Sequence, residues 1–447
     1  MRLPKRILLL ISVLFLVLSC SKSEINGSDG EPDGPYTSIP DKNFELALIE
    51  YGIDRDGWNG KVLTSSISGI KELFISGREI KVLTGIEGFT SITKLTANSN
   101  KLTHLNLSKN TSLHYLDVSY NQLTSLNVGN NNSLTIFSCA ENQLTSLELS
   151  NNSSLTSLFC GNNKLTALNV SNNASLTMLD LGENQLTSLD IGKNTAIEYL
   201  WCDKNQLTNL DLSKNISLLS IWCDNNQIAS LDVSKNTSLN HLYFNNNLLT
   251  SLDISNNTAL IALDLAENQL TNLNVGNSPD LTWFWCNNNQ LTSLDVSNNV
   301  LLSELYVSEN QLTTLDVSNN TLLTFLWCGE NQLTSLYVSN NTSLIDLRCD
   351  TNQLTSLNVS NNTSLHDLRF ENNQITSLDI SNNTLLTHLW CSENQLTGLD
   401  VSNNTLLEWL RCQSNPLFCI KVNENQLENI PINWVKDPED IYSLDCN

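Results

Sequence analysis

Positive charge is scarce in this chain of 447 residues: 23 lysines and arginines stand against 46 aspartates and glutamates, a formal net charge of -23. A surface this acidic repels phosphate backbones, which argues against nucleic acid as a partner. Charged residues of both signs make up only 15% of the sequence, whereas hydrophobic residues make up 40%. That hydrophobic content suffices for a core if it recurs at regular intervals.

Catalytic and metal-binding motifs are also missing. The sequence has no nucleophile elbow, phosphate-binding loop or zinc motif, and its five histidines are scattered. The segment 54–60 partly resembles a calcium-binding loop in sequence, but Trp58 and Asn59 break the EF-hand spacing. We therefore expect a turn there, with calcium binding as the alternative. We expect no cofactor and no enzymatic activity.

The N-terminus reads as a targeting segment. An apolar run over residues 7–18 follows a short basic stretch and is too short for an ordinary membrane-spanning helix. This pattern predicts a signal peptide over residues 1–19. The junction that ends at Ser19 and Cys20 resembles a bacterial lipobox, although Ser19 departs from the commoner Gly or Ala. The resemblance implies lipidation of Cys20 and anchoring in the bacterial outer membrane; a plain signal peptide is the alternative.

Two segments separate the signal from the rest of the chain. Residues 20–38 are rich in Ser, Gly, Asp, Glu and Pro, which predicts a flexible tether. Its acidic part resembles the region that follows the lipidated cysteine in surface lipoproteins of Bacteroidetes-type bacteria; a solvated spacer is the alternative. Residues 39–69 are interpreted as an N-terminal cap, with a helix from Asp41 to Tyr51 that has one apolar face.

Residues 70–415 repeat a unit of 21 residues, and only the first turn is one residue longer. In the copy 312–332, Leu315, Val317, Leu326 and Cys328 occupy inward positions. One turn cannot enclose a core, whereas stacked turns can. The asparagines of one register can bond to backbone groups at the turns; they stand at 100, 121, 142, 163, 184, 205, 226, 247, 268, 289, 310, 331, 352, 373, 394 and 415.

The pattern LxxLxCxxNQL followed by xxLDVSxN resembles the bacterial leucine-rich repeats of nested half-period, the IRREKO type, in internalin-like proteins. The segment from Ile39 to Phe44 and the C-terminal block also resemble flavobacterial surface proteins of this kind. The resemblance implies a curved or nearly straight solenoid that is used for binding. We predict a leucine-rich repeat solenoid of about 17 turns with parallel strands, roughly 80 Å long at ~4.8 Å per turn. Pro416 ends the pattern, and residues 416–447 are interpreted as a C-terminal cap.

Nine of the twelve cysteines fall in one inward register: 139, 160, 202, 223, 286, 328, 349, 391 and 412. Val118 and Phe244 occupy the same position elsewhere, so we expect these cysteines to be buried free thiols rather than metal ligands. Disulfides between neighbouring turns are the alternative, at a spacing slightly too wide for them. Cys419 and Cys446 lie outside this register and bracket the cap, and we predict a disulfide between them.

The residue before each cysteine position must point out of the sheet, and so must the residue two places earlier. Seven of the nine tryptophans fall at these two positions. We name the following candidate ligand-binding residues the aromatic strip: Tyr199, Trp201, Trp222, Tyr243, Trp283, Trp285, Tyr306, Phe325, Trp327, Arg348, Arg369 and Trp390. Such residues are enriched in binding hot spots, although aromatic side chains also stack across strands for stability alone.

The other half of each repeat presents aspartates at its outward position, such as Asp295 and Asp316. We name this column the Asp ladder. Our main interpretation is a solvated acidic face, and a cation-binding ladder is the alternative.

These observations predict a non-catalytic protein of the cell surface whose aromatic strip binds a protein partner. Glycan binding, by rings that stack on sugars, is the first alternative. A passive structural or adhesin stalk is the second. The only contact with a membrane would be the lipid anchor at Cys20.

Overall fold

One parallel β-sheet of 18 strands dominates the computed structural model, which describes residues 34–446. Each strand pairs in register with the strand one repeat away, as Leu326 does with Leu305 and Leu347. The predicted leucine-rich repeat solenoid is confirmed. The strands are β3 (Glu72–Phe74), β4 (Lys94–Thr96), β5 (Tyr115–Asp117), β6 (Ile136–Ser138), β7 (Ser157–Phe159), β8 (Met178–Asp180), β9 (Tyr199–Trp201), β10 (Ser220–Trp222), β11 (His241–Tyr243), β12 (Ala262–Asp264), β13 (Trp283–Trp285), β14 (Glu304–Tyr306), β15 (Phe325–Trp327), β16 (Asp346–Arg348), β17 (Asp367–Arg369), β18 (His388–Trp390), β20 (Trp409–Arg411) and β22 (Trp434–Val435).

Each strand is short because the chain turns sharply two residues after the inward cysteine position. In the copy that contains β15, Glu330 adopts a left-handed backbone with φ of +53°. Asn331 follows and holds the turn: its Nδ2 donates to the carbonyl oxygens of Val307 (3.0 Å) and Cys328 (3.2 Å), and its Oδ1 accepts the N–H of Leu312 (2.9 Å). The side chain of each such asparagine therefore ties its own turn to the preceding turn.

A second column of asparagines closes the opposite side of each turn. The Nδ2 of Asn320 donates to the carbonyl oxygens of Val296 (3.0 Å) and Asn299 (2.9 Å), one repeat back. The leucine, valine, isoleucine and cysteine side chains between the two columns form one continuous buried core. The nine predicted cysteines are free and buried within it, as expected. Burial raises the pKa of the Cys349 thiol well above its ordinary value, so the thiol stays protonated.

The N-terminal cap closes the first turn. Helix α1 (Lys42–Glu50) begins at Asp41, whose Oδ1 accepts the N–H of Asn43 (2.9 Å) and Phe44 (3.1 Å). Strands β1 (Tyr36–Ser38) and β2 (Lys61–Leu63) pair antiparallel beside it. The predicted tether therefore ends earlier than residue 38, because β1 belongs to the cap. Two shorter helices follow, α2 (Thr64–Ile67) and a 3-10 helix (Ile86–Gly88).

The segment 54–60 forms a turn within this cap. Asp54 Oδ1 accepts the N–H of Asp56 (3.1 Å), and Asn59 Oδ1 accepts the N–H of Lys61 (3.1 Å). These two bonds stabilise the turn that the broken spacing predicts.

The C-terminal cap adds a small parallel sheet of β19 (Leu399–Asp400), β21 (Cys419–Lys421) and β23 (Ile441–Ser443), with helix α3 (Glu424–Glu428) after β21. The indole of Trp434 is buried over the last turn, and its Nε1 donates to the carbonyl oxygen of Leu407 (3.2 Å). The aromatic ring of Tyr442 packs beside Trp434, with 5.8 Å between the ring centroids. Ile441 and Leu444 of the same cap are exposed and contribute little to this cover.

The predicted signal peptide, Cys20 and most of the predicted tether lie outside the described residues. Within residues 34–446, no helix is long and apolar enough to cross a membrane.

Candidate binding surface

The structure places all twelve residues of the aromatic strip on the outward side of the sheet. They are the first or third residues of β9–β11 and β13–β18, and the middle residue of each strand is buried. Successive Cβ atoms of a strand point to opposite faces, so the buried middle leucines force their neighbours outward. Most strip residues are half-buried, and Trp283 is 40% exposed. The strip is therefore a half-covered surface made of packed rings.

Three rings of the strip form a continuous stack. The ring centroids of Trp285 and Tyr306 lie 5.6 Å apart with planes inclined by 9°, and those of Tyr306 and Trp327 lie 4.2 Å apart with planes inclined by 12°. Parallel pairing in register brings these side chains together, since equivalent residues of neighbouring strands are adjacent. Both faces of Tyr306 are consequently covered, and burial raises the pKa of its phenol.

Arginines extend the stack toward the C-terminus. The Arg348 guanidinium lies 3.9 Å from the centroid of the Trp327 ring. Arg369 and Arg411 lie 3.8 Å and 4.5 Å from the centroid of Trp390. Planar guanidinium groups stack well on aromatic faces. Trp327 and Trp390 therefore each have two covered faces and present their edges.

Two aspartates that the sequence interpretation overlooked hold these arginines in place. The Nε and Nη2 atoms of Arg348 donate to the two carboxylate oxygens of Asp346 at 3.1 Å and 2.9 Å. Arg369 bonds to Asp367 in the same way, at 2.9 Å and 2.7 Å. Donation to the carboxylate of Asp367 raises the pKa of Arg369, whereas burial raises the pKa of Asp346 more than Arg348 lowers it. The repeated sequence Asp-Leu-Arg, which puts both charges on one face, was the available signal.

The strip is interrupted at β12. There the outward positions are held by Ala262 and Asp264, both of which are buried. On the N-terminal side of this gap, Trp222 and Tyr243 pack at 4.6 Å with planes inclined by 56°. Burial raises the pKa of Tyr243 to about 12. The strip thus consists of an N-terminal cluster on β9–β11 and a longer C-terminal cluster on β13–β18.

A shallow depression of about 260 Å³ opens beside the C-terminal cluster. Stacked side chains of three neighbouring strands form one wall, and carboxylates from the adjoining turns form the other. The lining residues are Asn287, Tyr306, Ser308, Glu309, Trp327, Gly329, Glu330, Arg348 and Asp350. The aromatic strip therefore meets a row of turn carboxylates at this place.

Three indole N–H groups of the strip lack a hydrogen-bond acceptor. The Nε1 atoms of Trp285, Trp327 and Trp390 are out of contact with solvent and have no partner among the described residues. Buried indole N–H groups usually have an acceptor. These donors are the unsatisfied polar atoms of the strip.

The Asp ladder has a structural explanation in each repeat. Asp295 and Asp316 each accept, through Oδ1, the N–H of the serine two residues later, at 2.9 Å. Hydrogen bonds from the serine lower the pKa of Asp316, and of Asp295 likewise. Asn274 and Asn358 make the same bond from the same position. A negative charge is therefore not required at this position, which weakens the case for a cation ladder.

Cys419 and Cys446 form a disulfide, with their Cα atoms 5.6 Å apart. Within residues 34–446, no group of three or more His, Cys, Asp or Glu side chains is arranged to hold a metal ion.

Comparisons with known proteins locate the chain among repeat proteins. No protein-family model matches it, and no curated protein sequence does. The functional domain of InlJ from Listeria monocytogenes, which includes a cysteine ladder, is 32% identical with a TM-score of 0.71, covering 87% of this chain and 82% of that domain.

Two other bacterial structures share the fold alone. A leucine-rich repeat protein of Leptospira interrogans is 24% identical with a TM-score of 0.63, over 85% of this chain and 97% of that one. YopM from Yersinia enterocolitica is 22% identical with a TM-score of 0.62, over 90% and 95%. With its asparagine columns, its register of buried cysteines and its likeness to InlJ, the chain belongs to the leucine-rich repeat proteins and has an internalin-like solenoid.

Proposed function

We propose that this chain is a non-catalytic binding protein of a cell surface, and that the aromatic strip contacts a protein partner. The observation that carries this proposal is the concentration of seven tryptophans on one outward face of the array, where the core does not require them. A few residues supply most of the binding energy of a protein interface, and Trp, Tyr and Arg are enriched among them. The strip presents these residue types packed side by side.

The covered ring faces favour a protein over a glycan. Sugar recognition by aromatic residues needs an open ring face, whereas Tyr306, Trp327 and Trp390 have both faces covered by neighbouring rings or guanidinium groups. A protein interface can use ring edges and arginine side chains together.

The test is binding of the full chain to candidate cell surfaces after Trp222, Trp285 and Trp327 are replaced by alanine together. Ser138 already occupies the equivalent position of β6, so the fold accommodates small side chains there. We expect binding to fall by at least about tenfold, as expected for the loss of hot-spot residues. Tyr337→Ala is the matched control, because Tyr337 is 76% exposed on the other half-repeat. Unchanged binding of a folded triple variant would refute the proposal.

For localisation, we propose that Cys20 is lipidated and anchors the protein in the bacterial outer membrane, facing outward. The lipobox resemblance at Ser19 and Cys20 supports this proposal. We expect Cys20→Ser to release the protein from the membrane fraction. Retention of that variant with the membranes would argue against a lipid anchor at Cys20.

A further inference from the structure

We propose that the depression beside β14–β16 receives a lysine or arginine side chain of the protein partner. This inference rests on the proposed function, because it names the chemistry that the same strip recognises. Three observations support it: the shape of the depression, the unpaired carboxylates that line it, and the ion pairs that turn glutamates form with lysines elsewhere in the array.

The depression has one aromatic wall and one acidic wall. Tyr306 and Trp327 line it from the sheet, while Glu309 and Glu330 line it from the turns. The two glutamates occupy the same position of consecutive turns, each with a left-handed backbone at φ of +55° and +53°. Equivalent atoms of neighbouring parallel strands lie about 5 Å apart, so both carboxylates reach the same opening.

These two carboxylates have no cation of their own. Both glutamates are exposed, and neither side chain makes an ion pair or hydrogen bond within the described part of the chain. Burial raises the pKa of Glu309, and repulsion from Glu330 and Glu267 raises it further. A positive charge placed between them would relieve this repulsion.

The arginine that lines the depression already has a partner for its charge. Arg348 lines it, but its guanidinium bonds to both oxygens of Asp346 and stacks on Trp327. Asp350 adds another carboxylate to the lining. The opening thus retains a net negative charge after its internal pairs are formed.

The array itself shows what such a turn glutamate binds when a cation is available. Lys204 occupies the same turn position one repeat after Glu183, and its Nζ lies 2.7 Å from Glu183 Oε1. Lys101 pairs with Glu79, which also occupies this turn position. At Glu309 and Glu330 no lysine follows, and the ring edges of Tyr306 and Trp327 stand alongside. A long side chain could lie along those rings and direct its charged end to the carboxylates.

The experiment selects a phage-displayed library of random peptides on the full chain and measures the enriched peptides by fluorescence anisotropy. We expect the enriched peptides to share a lysine or arginine. Replacing that residue by glutamine should weaken binding by about tenfold, as two partly exposed ion pairs would. Replacing Glu309 and Glu330 by glutamine should cause the same loss, and the two changes together should be less than additive.

Glu393→Gln is the matched control, because Glu393 holds the same turn position at φ of +54° and does not line the depression. Its peptide affinity should equal that of the unaltered chain. A library that yields no binder, or binders without basic residues, overturns the inference. So does a Ca²⁺-induced rise in melting temperature that Glu309→Gln with Glu330→Gln abolishes, because the opening would then be a metal site.

The same peptides separate the two proposals. Peptides that require Trp222, Trp285 and Trp327 but are indifferent to Glu309 and Glu330 overturn the cation pocket and leave the protein-binding function standing. Peptides that are indifferent to the tryptophans as well as the glutamates count against both.

Discussion

At the scale of single residues, the fold depends on side-chain amides that replace missing backbone bonds. Asn320 donates to two buried carbonyl oxygens of the preceding repeat, and the same geometry recurs along the column. Ser278 is the exception: its hydroxyl donates to the carbonyl oxygen of Asn257 alone, at 3.1 Å. The column therefore includes one natural position, Ser278, at which a single hydrogen bond replaces the usual two.

We predict that Asn320→Ala destabilises the chain by about 1–3 kcal/mol, because it removes two buried hydrogen bonds of roughly 0.5–1.5 kcal/mol each. Asn320→Ser should cost less, since serine can keep one bond as Ser278 does. Urea denaturation followed by circular dichroism measures both. Equal losses of stability for the two variants would mean that the volume of the asparagine side chain, rather than its hydrogen bonds, stabilises the fold at position 320.

At the scale of the element, every turn of the array requires one left-handed residue. Asn162, Asn225 and Asn372 suit this conformation, which asparagine tolerates better than most residues. Thr351 has φ of +51° and is β-branched, which is the least favourable choice. This turn position was missed in the sequence, although its several asparagines and its lack of valine and isoleucine were a usable signal.

We predict that Thr351→Asn stabilises the chain by on the order of 0.5–1 kcal/mol, because it relieves backbone strain. The reverse change, Asn372→Thr, should destabilise it by a similar amount. Both are read from the midpoint of thermal unfolding. If the Thr351→Asn variant melts at a lower temperature, the threonine side chain stabilises the fold by more than its backbone strain costs.

The C-terminal cap is a second element whose role can be isolated. Its disulfide joins residues 27 apart in sequence and closes the small sheet of β19, β21 and β23. We predict that replacing Cys419 and Cys446 by serine costs the cap about 3 kcal/mol, as expected for a loop of this size.

Hydrogen exchange should locate that loss. In a stacked array each repeat depends on its neighbours, so faster exchange should be confined to the cap and the last turns, while β3–β10 remain unchanged. Uniformly faster exchange along the array would contradict this local role of the cap.

At the scale of the whole molecule, two groups of carboxylates have opposite effects on stability. Burial raises the pKa of Asp117, Asp350 and Glu371 in the folded chain, so their charged forms oppose folding and stability is gained as the pH falls through those raised values. Serine hydrogen bonds lower the pKa of Asp253 and Asp316 below 3.8, so their contribution is lost only as the pH falls below that value.

We therefore predict a maximum of melting temperature at mildly acidic pH, between neutral pH and the ordinary pKa of aspartate near 3.8. Relief of repulsion in a chain of net charge -23 acts in the same direction. Differential scanning calorimetry across this range is the measurement. A melting temperature that falls steadily from pH 7 downward would contradict the account.

The period of the sequence was sufficient to predict the global architecture. Inward leucines such as Leu326, turn asparagines such as Asn331 and the outward direction of Trp327 all follow from a regular alternation that each repeat confirms. The contacts across strands could not be predicted, because they depend on side-chain conformations. The pairing of Arg348 with Asp346, the covered ring faces and the gap at β12 belong to this class.

Residues outside the period were predicted less well. Strand β1 pairs with a segment about 25 residues away, and a non-periodic stretch gives no signal of such pairing. In the C-terminal cap, an apolar residue type did not distinguish buried Trp434 from exposed Ile441. The repeats carry redundant information about their own structure, and the caps do not.

The most direct test of the central claim places a photo-crosslinking amino acid at Phe325, within the aromatic strip, or at Tyr337, which is exposed on the other half-repeat. The full-length protein is irradiated on cells that carry it, and crosslinked partners are identified by mass spectrometry. If the strip is the binding surface, a protein partner is captured from position 325 and not from position 337. Capture from position 337 alone, or equally from both positions, would contradict the account.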